Sequence, residues 1–335
     1  MARPRMRLVH LVGLALGVAA FAWLASRAGL AEALASARAV GPRLVLLIVP
    51  YAVATALYAI PWGLLVPRAH RPRWSAVVAT RFAAAAVNVL LPTGFFGEPV
   101  RLRAVAPAGR AEASEALVWD RALYLGASGA FLALAAIGGQ AAGGAAYAGA
   151  ALVAMAGYFA GGASLVGVTR IGALRRWLSQ RLGRFFPQLR ASPPVLRPSW
   201  PKATGSLALH LVARLSVAAE IWLGARLLGV HLTFVAWLFA AGATALSAAA
   251  MPIVPGQIGV QEAALTGALA AMGVEPSTGL ALGLLLRARQ MLFVPIGLLL
   301  GTSRATQASG PAAVSAPPAP EASPASSRGA GTRRG

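Results

Sequence analysis

What most restricts this chain is that apolar runs about as long as a bilayer is thick recur along it. They are "LVHLVGLALGVAAFAWLA" (8–25), "LVLLIVPYAVATALYAIPWGLLV" (44–66), "LVWDRALYLGASGAFLALAAI" (117–137), "AAYAGAALVAMAGYFAGGASLVGV" (145–168), "SLALHLVARLSVAAEIWLGARLLGV" (206–230) and "TGLALGLLLRARQMLFVPIGLLLG" (278–301). Each is close to the ~20 residues that an α-helix needs to cross the hydrocarbon core. In lipid the backbone must bond to itself, which leaves helices as the form such runs take. Charged residues make up 12% of the chain, against about a quarter in soluble domains. The expected fold class is all-α, a polytopic membrane protein. The first run follows "MARPRMR" and reads as an uncleaved first helix, not as a secretory signal, because so many spans follow it.

Composition then excludes several chemistries. The chain has no cysteine, so disulfides, thiolate nucleophiles and Cys-ligated metals drop out. His10, His70, His210 and His231 are scattered, with no metal-ligand spacing between them. No G-x-S-x-G, Walker A or H-E-x-x-H pattern occurs. No enzymatic activity, cofactor or metal is therefore expected. A formal net charge of +21 would suggest nucleic acid in a soluble protein. Here the arginines gather at the ends of apolar runs, where they set topology and meet anionic lipid headgroups; nucleic acid is not an expected partner.

Charge also decides how the runs are threaded. If 76–91 and 232–252 were full crossings, the loop at 170–203 would lie outside, with Arg170, Arg175, Arg176, Arg181, Arg184, Arg190, Arg197 and Lys202. That contradicts the positive-inside bias. The conflict disappears if 76–91 enters from the cytoplasm, breaks at Pro92-Thr93-Gly94 and returns through 95–105. A second re-entrant hairpin then enters through 232–252 from the other side, breaks at Pro255-Gly256 and returns through 257–271. The expectation is about six full transmembrane helices plus two broken hairpins in an inverted repeat, with both termini cytoplasmic. Residues 26–43 read as an outside loop that keeps three arginines.

Ionisable residues at membrane depth are costly and mark pathways by default. The two breaks carry parallel chemistry: "NVLLPTGFFGEPVRLR" (88–103) has Glu98 and Arg101, and "MPIVPGQIGVQEAAL" (251–265) has Glu262. Irregular backbone at that depth belongs beside a wet cavity. Freed N–H groups at the breaks suit an anionic group such as a lipid phosphate. Arg81, Arg101, Asp120 and Arg121 lie near the expected cytoplasmic edge and could snorkel to it. Glu220 sits mid-run, where an ion pair with Arg214 or Arg287 is expected. Arg287 and Arg289 are two apart, so on a helix they point about 200° from each other and cannot share a cavity. Arg287 is the better internal cation.

These motifs resemble the lysylphosphatidylglycerol synthase transmembrane-region family, a flippase-like family, over nearly all of 8–301. The first family motif is matched by Asn88, Leu91-Pro92, Gly97-Glu98 and Arg101. The second is matched by Pro255-Gly256, Ile258-Gly259 and Glu262, with Gln257 in place of a glycine. "AMGVEPSTGLALGLLLR" (271–287) is similar to the family's closing stretch and supplies Arg287. "VWDR" stands where many members have Glu-Arg, which puts Asp120 and Arg121 in that position. The resemblance implies the lipid-translocating half of the synthase, not its soluble catalytic domain.

The expected function is a lipid flippase or transporter for a phosphate-bearing lipid (phospholipid, aminoacyl-phospholipid or polyprenyl-linked lipid) in a bacterial inner membrane. The expected pathway residues are Asn88, Pro92, Gly97, Glu98, Arg101, Asp120, Arg121, Glu220, Pro255, Gly256, Gly259, Glu262 and Arg287. Anionic membrane lipids are the expected partners. The alternatives are a non-catalytic membrane partner of a separately encoded glycosyltransferase or lipid synthase, and a membrane enzyme acting on a headgroup. Residues 1–303 form the membrane domain in this reading, and 304–335, rich in Ala, Pro and Ser, form a disordered cytoplasmic tail. "RRWLSQRLGRFF", within 170–203, reads as an amphipathic helix on the inner leaflet.

Overall fold

The computed structural model describes residues 4–91, 97–142, 145–170, 198–251 and 254–302, and every regular element among them is helical. The elements are α1 (Pro4–Ala28), α2 (Leu30–Val40), α3 (Ile48–Leu65), α4 (Trp74–Leu90), α5 (Glu98–Arg101), α6 (Arg110–Ala142), α7 (Ala145–Arg170), α8 (Trp200–Leu227), α9 (Phe234–Ala250), α10 (Val260–Ala270) and α11 (Pro276–Thr302), joined in places by short 3-10 turns. The expected inner-leaflet helix and the expected tail lie outside the described residues, as does Pro92.

Five stretches are long and apolar enough to cross a bilayer: Leu30–Leu65, Pro107–Ile137, Tyr147–Gly167, Trp200–Leu227 and Pro276–Thr302. Leu14–Ala28, Trp74–Leu90 and Phe234–Ala248 are shorter apolar helices. The expected sixth crossing corresponds to α1, whose 25 residues reach roughly 37 Å at 1.5 Å per residue. Hydroxyls inside the bundle bond to their own helices, as Thr55 does to Tyr51 O (2.8 Å) and Thr80 to Ala76 O (2.7 Å). No polar side chain is thereby left facing lipid at those points.

Helices α3 and α8 pack antiparallel. Leu47 lies by Gly224, Ala54 by Ala213, Tyr58 by His210, and Leu65 with Pro67 by Ser199 and Lys202. The α4–α5 hairpin follows the Leu65 end of α3, and the α9–α10 hairpin follows the Leu227 end of α8. Because the two parent helices are antiparallel, the hairpins enter from opposite ends of the bundle. Exchanging α3 with α8, α4 with α9, α5 with α10 and α6 with α11 maps several packing pairs onto one another: α4 against α11 becomes α9 against α6, α3 against α4 becomes α8 against α9, and α3 against α8 maps onto itself. The hairpins and their parent helices thus form an inverted repeat, whereas α6 against α8 and α10 against α11 have no counterpart of similar extent among the described residues. Glycines let the paired helices approach closely, as at Gly297 against the Phe82 carbonyl and Gly242 against Ala135.

Two expectations change. Residues 26–43 are not a loop: after Gly29 turns the chain at φ +73°, α2 forms and packs on α11, burying Ala33 and Val40. The polar residues of "LAEALASARAV" fall on one side of a helix, so a helical face was available to bury. The first return arm, expected over 95–105, is short: from Gly97 it comprises α5 and a 3-10 turn, Leu102–Ala104. Val105 is already extended (φ −106°, ψ 133°), and Pro107 keeps Ala106 extended after it (φ −57°, ψ 150°), so no helix resumes there.

Candidate functional site

Each hairpin tip is held by a polar side chain that acts on the backbone. In the first, the Asn88 carbonyl oxygen accepts from Gly97 N–H at 2.7 Å. Gly97 lies against α4 so closely that a Cβ would stand 2.1 Å from the Ala84 carbonyl oxygen. In the second, Glu262 Oε2 accepts from Gly259 N–H at 2.8 Å and caps α10. Gly259 has φ +77°, and its own Cβ would collide with α1 at Gly17 O (2.3 Å). Only glycine fits either place.

Around the first tip is a charge network. Glu98 accepts from Arg81 (3.4 Å), from Arg101 (2.9 Å) and from Arg121. Arg101 also donates to Asp120 Oδ2 at 2.8 Å, and Asp120 Oδ1 lies 3.1 Å from His210 Nε2. The Arg101 guanidinium rests over Trp62, 4.8 Å from the ring centre. Arg101 is 1% exposed and Asp120 5%. The alternative that these two snorkel to the edge is not what the structure shows: the hairpin fold turns them inward, Arg101 onto Asp120 of α6 and Asp120 onto His210 of α8. Close by, Arg214 donates to Tyr124 Oη (3.0 Å) and Ser128 Oγ (2.8 Å), and Arg121 and Arg214 both lie over the Tyr124 ring.

Around the second tip, Arg287 holds the break together. It pairs with Glu262 Oε1 (2.7 Å) and donates to the carbonyls of Gly256 (2.6 Å) and Gln257 (3.3 Å) and to Gln290 (2.8 Å). Both Gly256 and Gln257 have positive φ, and the carbonyls this turn frees are the ones the guanidinium satisfies. Glu220 pairs with Arg289, not with Arg214 or Arg287 as expected. Arg289 faces away from Arg287, as the two-residue offset requires, and that places it on the α8 side, where Glu220 projects. The Arg289 guanidinium stacks on Tyr51 at 3.7 Å.

The end of α4 and the second break face one cavity of about 340 Å³, lined by Arg81, Ala85 and Asn88 of α4, Tyr51, Tyr124, Gly256, Gln257, Gln261 and Gln290, among others. Arg81, Ala85 and Asn88 are spaced i, i+4, i+7 and so share one face of α4. Asn88, Gly256 and Arg81 thus stand at the chamber wall. Gly97, Glu98, Arg101, Asp120 and Arg121 stand behind it on the first side, and Pro255, Gly259, Glu262 and Arg287 surround the second break. Glu262 (2% exposed) and Glu220 (1%) are buried in ion pairs. The sequence did not mark His210, Tyr124, Ser128, Gln261 or Gln290 as site residues, and it marked Gln257 only as a departure from the second motif. One signal was present: His210 and Arg214 are four apart, on one face of α8. Among the described residues, no group of His, Cys, Asp and Glu could hold a metal ion.

A helical membrane protein with two inverted halves, whose broken hairpins meet at a polar, arginine-rich chamber, is the class this geometry defines. The chain belongs to the lysylphosphatidylglycerol synthase transmembrane-region family, whose model matches residues 10–297. Membership ties the protein to lipid metabolism or transport. Comparisons with curated proteins and with solved structures give no match.

Proposed function

We propose that the protein moves a phosphate-bearing lipid across the bilayer, passing the headgroup through the chamber while the chains stay in the membrane. The observation that carries this reading is that the end of α4 and the second break line one polar cavity, with Arg81 on its wall and the Glu98–Arg101–Arg121 network directly behind. Its volume of about 340 Å³ falls at the lower end of small-molecule sites, roughly 300–1,000 Å³, which suits a headgroup and not acyl chains. Transport is favoured over chemistry on the headgroup because Glu98, Asp120, Glu220 and Glu262 are each engaged by arginine. None is a lone acid or base facing the cavity, as proton-transfer chemistry would need.

The membrane is assigned as the bacterial inner membrane, with both ends of the domain cytoplasmic. In support, the Leu65 end of the bundle holds Arg68, Arg71, Arg73, Arg103, Arg110 and Lys202, and α11 finishes there beside Ala83. Anionic lipids are the proposed partners, and a separately encoded glycosyltransferase or lipid synthase would make or consume the cargo. The test is reconstitution of the full chain in liposomes with fluorescent phospholipid or polyprenyl phosphate. Glu98→Gln and Arg81→Gln are expected to slow movement by about tenfold, equivalent to ~1.4 kcal/mol. Wild-type protein that moves no labelled lipid, or a Glu98→Ala variant that fully complements a deletion, would overturn the reading.

A further inference from the structure

The network behind the chamber has more cationic charge than its own carboxylates balance. In the ion pairs among the described residues, Arg81, Arg101 and Arg121 share Glu98 and Asp120, three positive charges against two negative. Arg214, joined to the same group through Tyr124, adds a fourth cation whose described partners, Tyr124, Ser128 and Tyr158, are hydroxyls. At the second tip the counts match, Arg287 with Glu262 and Arg289 with Glu220. The surplus of two positive charges is therefore confined to one side of the chamber. Its donors are also underused: among the described residues, no acceptor reaches Arg81 Nε, or Nε and Nη2 of Arg101, although all three atoms are buried. A buried N–H without an acceptor is costly, as is an unbalanced buried charge.

We propose that the cargo headgroup is a doubly negative phosphate, a monoester or a diphosphate, and not a singly charged or aminoacylated phosphodiester. This rests on the transport reading and narrows its substrate class. A dianion would bring the network to neutrality and supply acceptors to the Arg81 guanidinium, the arginine on the chamber wall. A phosphodiester would leave one arginine unbalanced. An aminoacyl-phosphodiester, which carries a positive amine, would leave two. Arg81 and Tyr124 form the part of the network that reaches the cavity, so the phosphate would enter there and draw on Arg121 and Arg214 around the Tyr124 ring.

The test measures binding to the purified full chain in nanodiscs, buffered well above the second phosphate pKa of about 6. Phosphatidic acid, phosphatidylglycerol and lysylphosphatidylglycerol are compared, with inorganic phosphate and diphosphate as soluble competitors. Phosphatidic acid is expected to bind about tenfold more tightly than phosphatidylglycerol, a difference of ~1.4 kcal/mol. Arg214→Gln should remove most of that preference and Arg214→Lys should restore it, so a misfolded variant cannot pass for a positive result. Equal binding of the phosphodiesters and the monoester by wild-type protein would overturn the proposal, as would a preference unchanged in Arg214→Gln. Inorganic phosphate competing as well as phosphatidic acid would keep the dianion and overturn its attachment to a lipid. Preferential binding without movement in liposomes would keep this inference and remove transport; movement of phosphatidylglycerol as fast as phosphatidic acid would do the reverse.

Discussion

Gly256 and Val89 touch where the two halves of the protein meet. A Cβ built on Gly256 would stand 3.0 Å from the Val89 carbonyl oxygen, and Gly256 holds φ +55°. Contact between the end of α4 and the second break therefore depends on a residue with neither side chain nor handedness. Gly256→Val should cost about 1–2 kcal/mol from the left-handed backbone alone, before any displacement of α4. A lower thermal midpoint in detergent, together with slower lipid movement, is the expected result; an unchanged midpoint would count against the contact.

Two glycines in return segments should respond in opposite directions to the same substitution. Gly97→Ala puts a methyl onto the Ala84 carbonyl at 2.1 Å, where the obstacle is backbone, and the cost should be about 1–3 kcal/mol or more. Gly267→Ala on α10 meets nothing within 4 Å and should stabilise by about 0.5–1 kcal/mol through helix propensity. Thermal melts of the two variants side by side provide the check.

The Glu220–Arg289 pair is buried on both sides, so its halves should not be separable. Glu220→Gln would strand the Arg289 cation and destabilise by about 3–5 kcal/mol, whereas Glu220→Leu combined with Arg289→Met should recover most of that loss. The measurement is a double-mutant cycle on unfolding. Additive effects would show that the two side chains do not interact.

Glu262 does two jobs, capping Gly259 and pairing with Arg287. Glu262→Ala removes both, and about 2–4 kcal/mol of local stability should go with them. The loss should register as faster amide exchange over residues 256–263, with α3 and α8 unaffected. Glu262→Gln keeps an acceptor for Gly259 and should lie between the variant and the wild type.

Much of this design was legible because it is written in local terms. The apolar runs, the Pro-Gly breaks and the arginine bias are properties of consecutive residues, and they were enough for a helical membrane protein with two opposed hairpins. The divergence of Arg287 and Arg289 was also readable, since helical periodicity alone separates them. The short first return was less so, because it depends on the close approach of Gly97 to Ala84 of α4, a contact between segments. Residues 26–43 misled because a loop and an amphipathic helix can share one composition until a neighbour buries one face.

Partnership between distant charges was out of reach. Glu220 and Arg289 lie 69 positions apart, and which arginine meets which glutamate depends on the rotation of α8 against α11, a matter of side-chain packing that no single segment encodes. The same holds for Arg101, whose burial against Trp62 and Asp120 required α6 to cover a hairpin arm that in isolation would have faced water. Transfer energy and backbone hydrogen bonding, summed residue by residue, settled that this chain lives in a membrane and where its helices break. Tertiary packing alone decided which charges cancel and which are left over, because electrostatic balance belongs to neighbours in space.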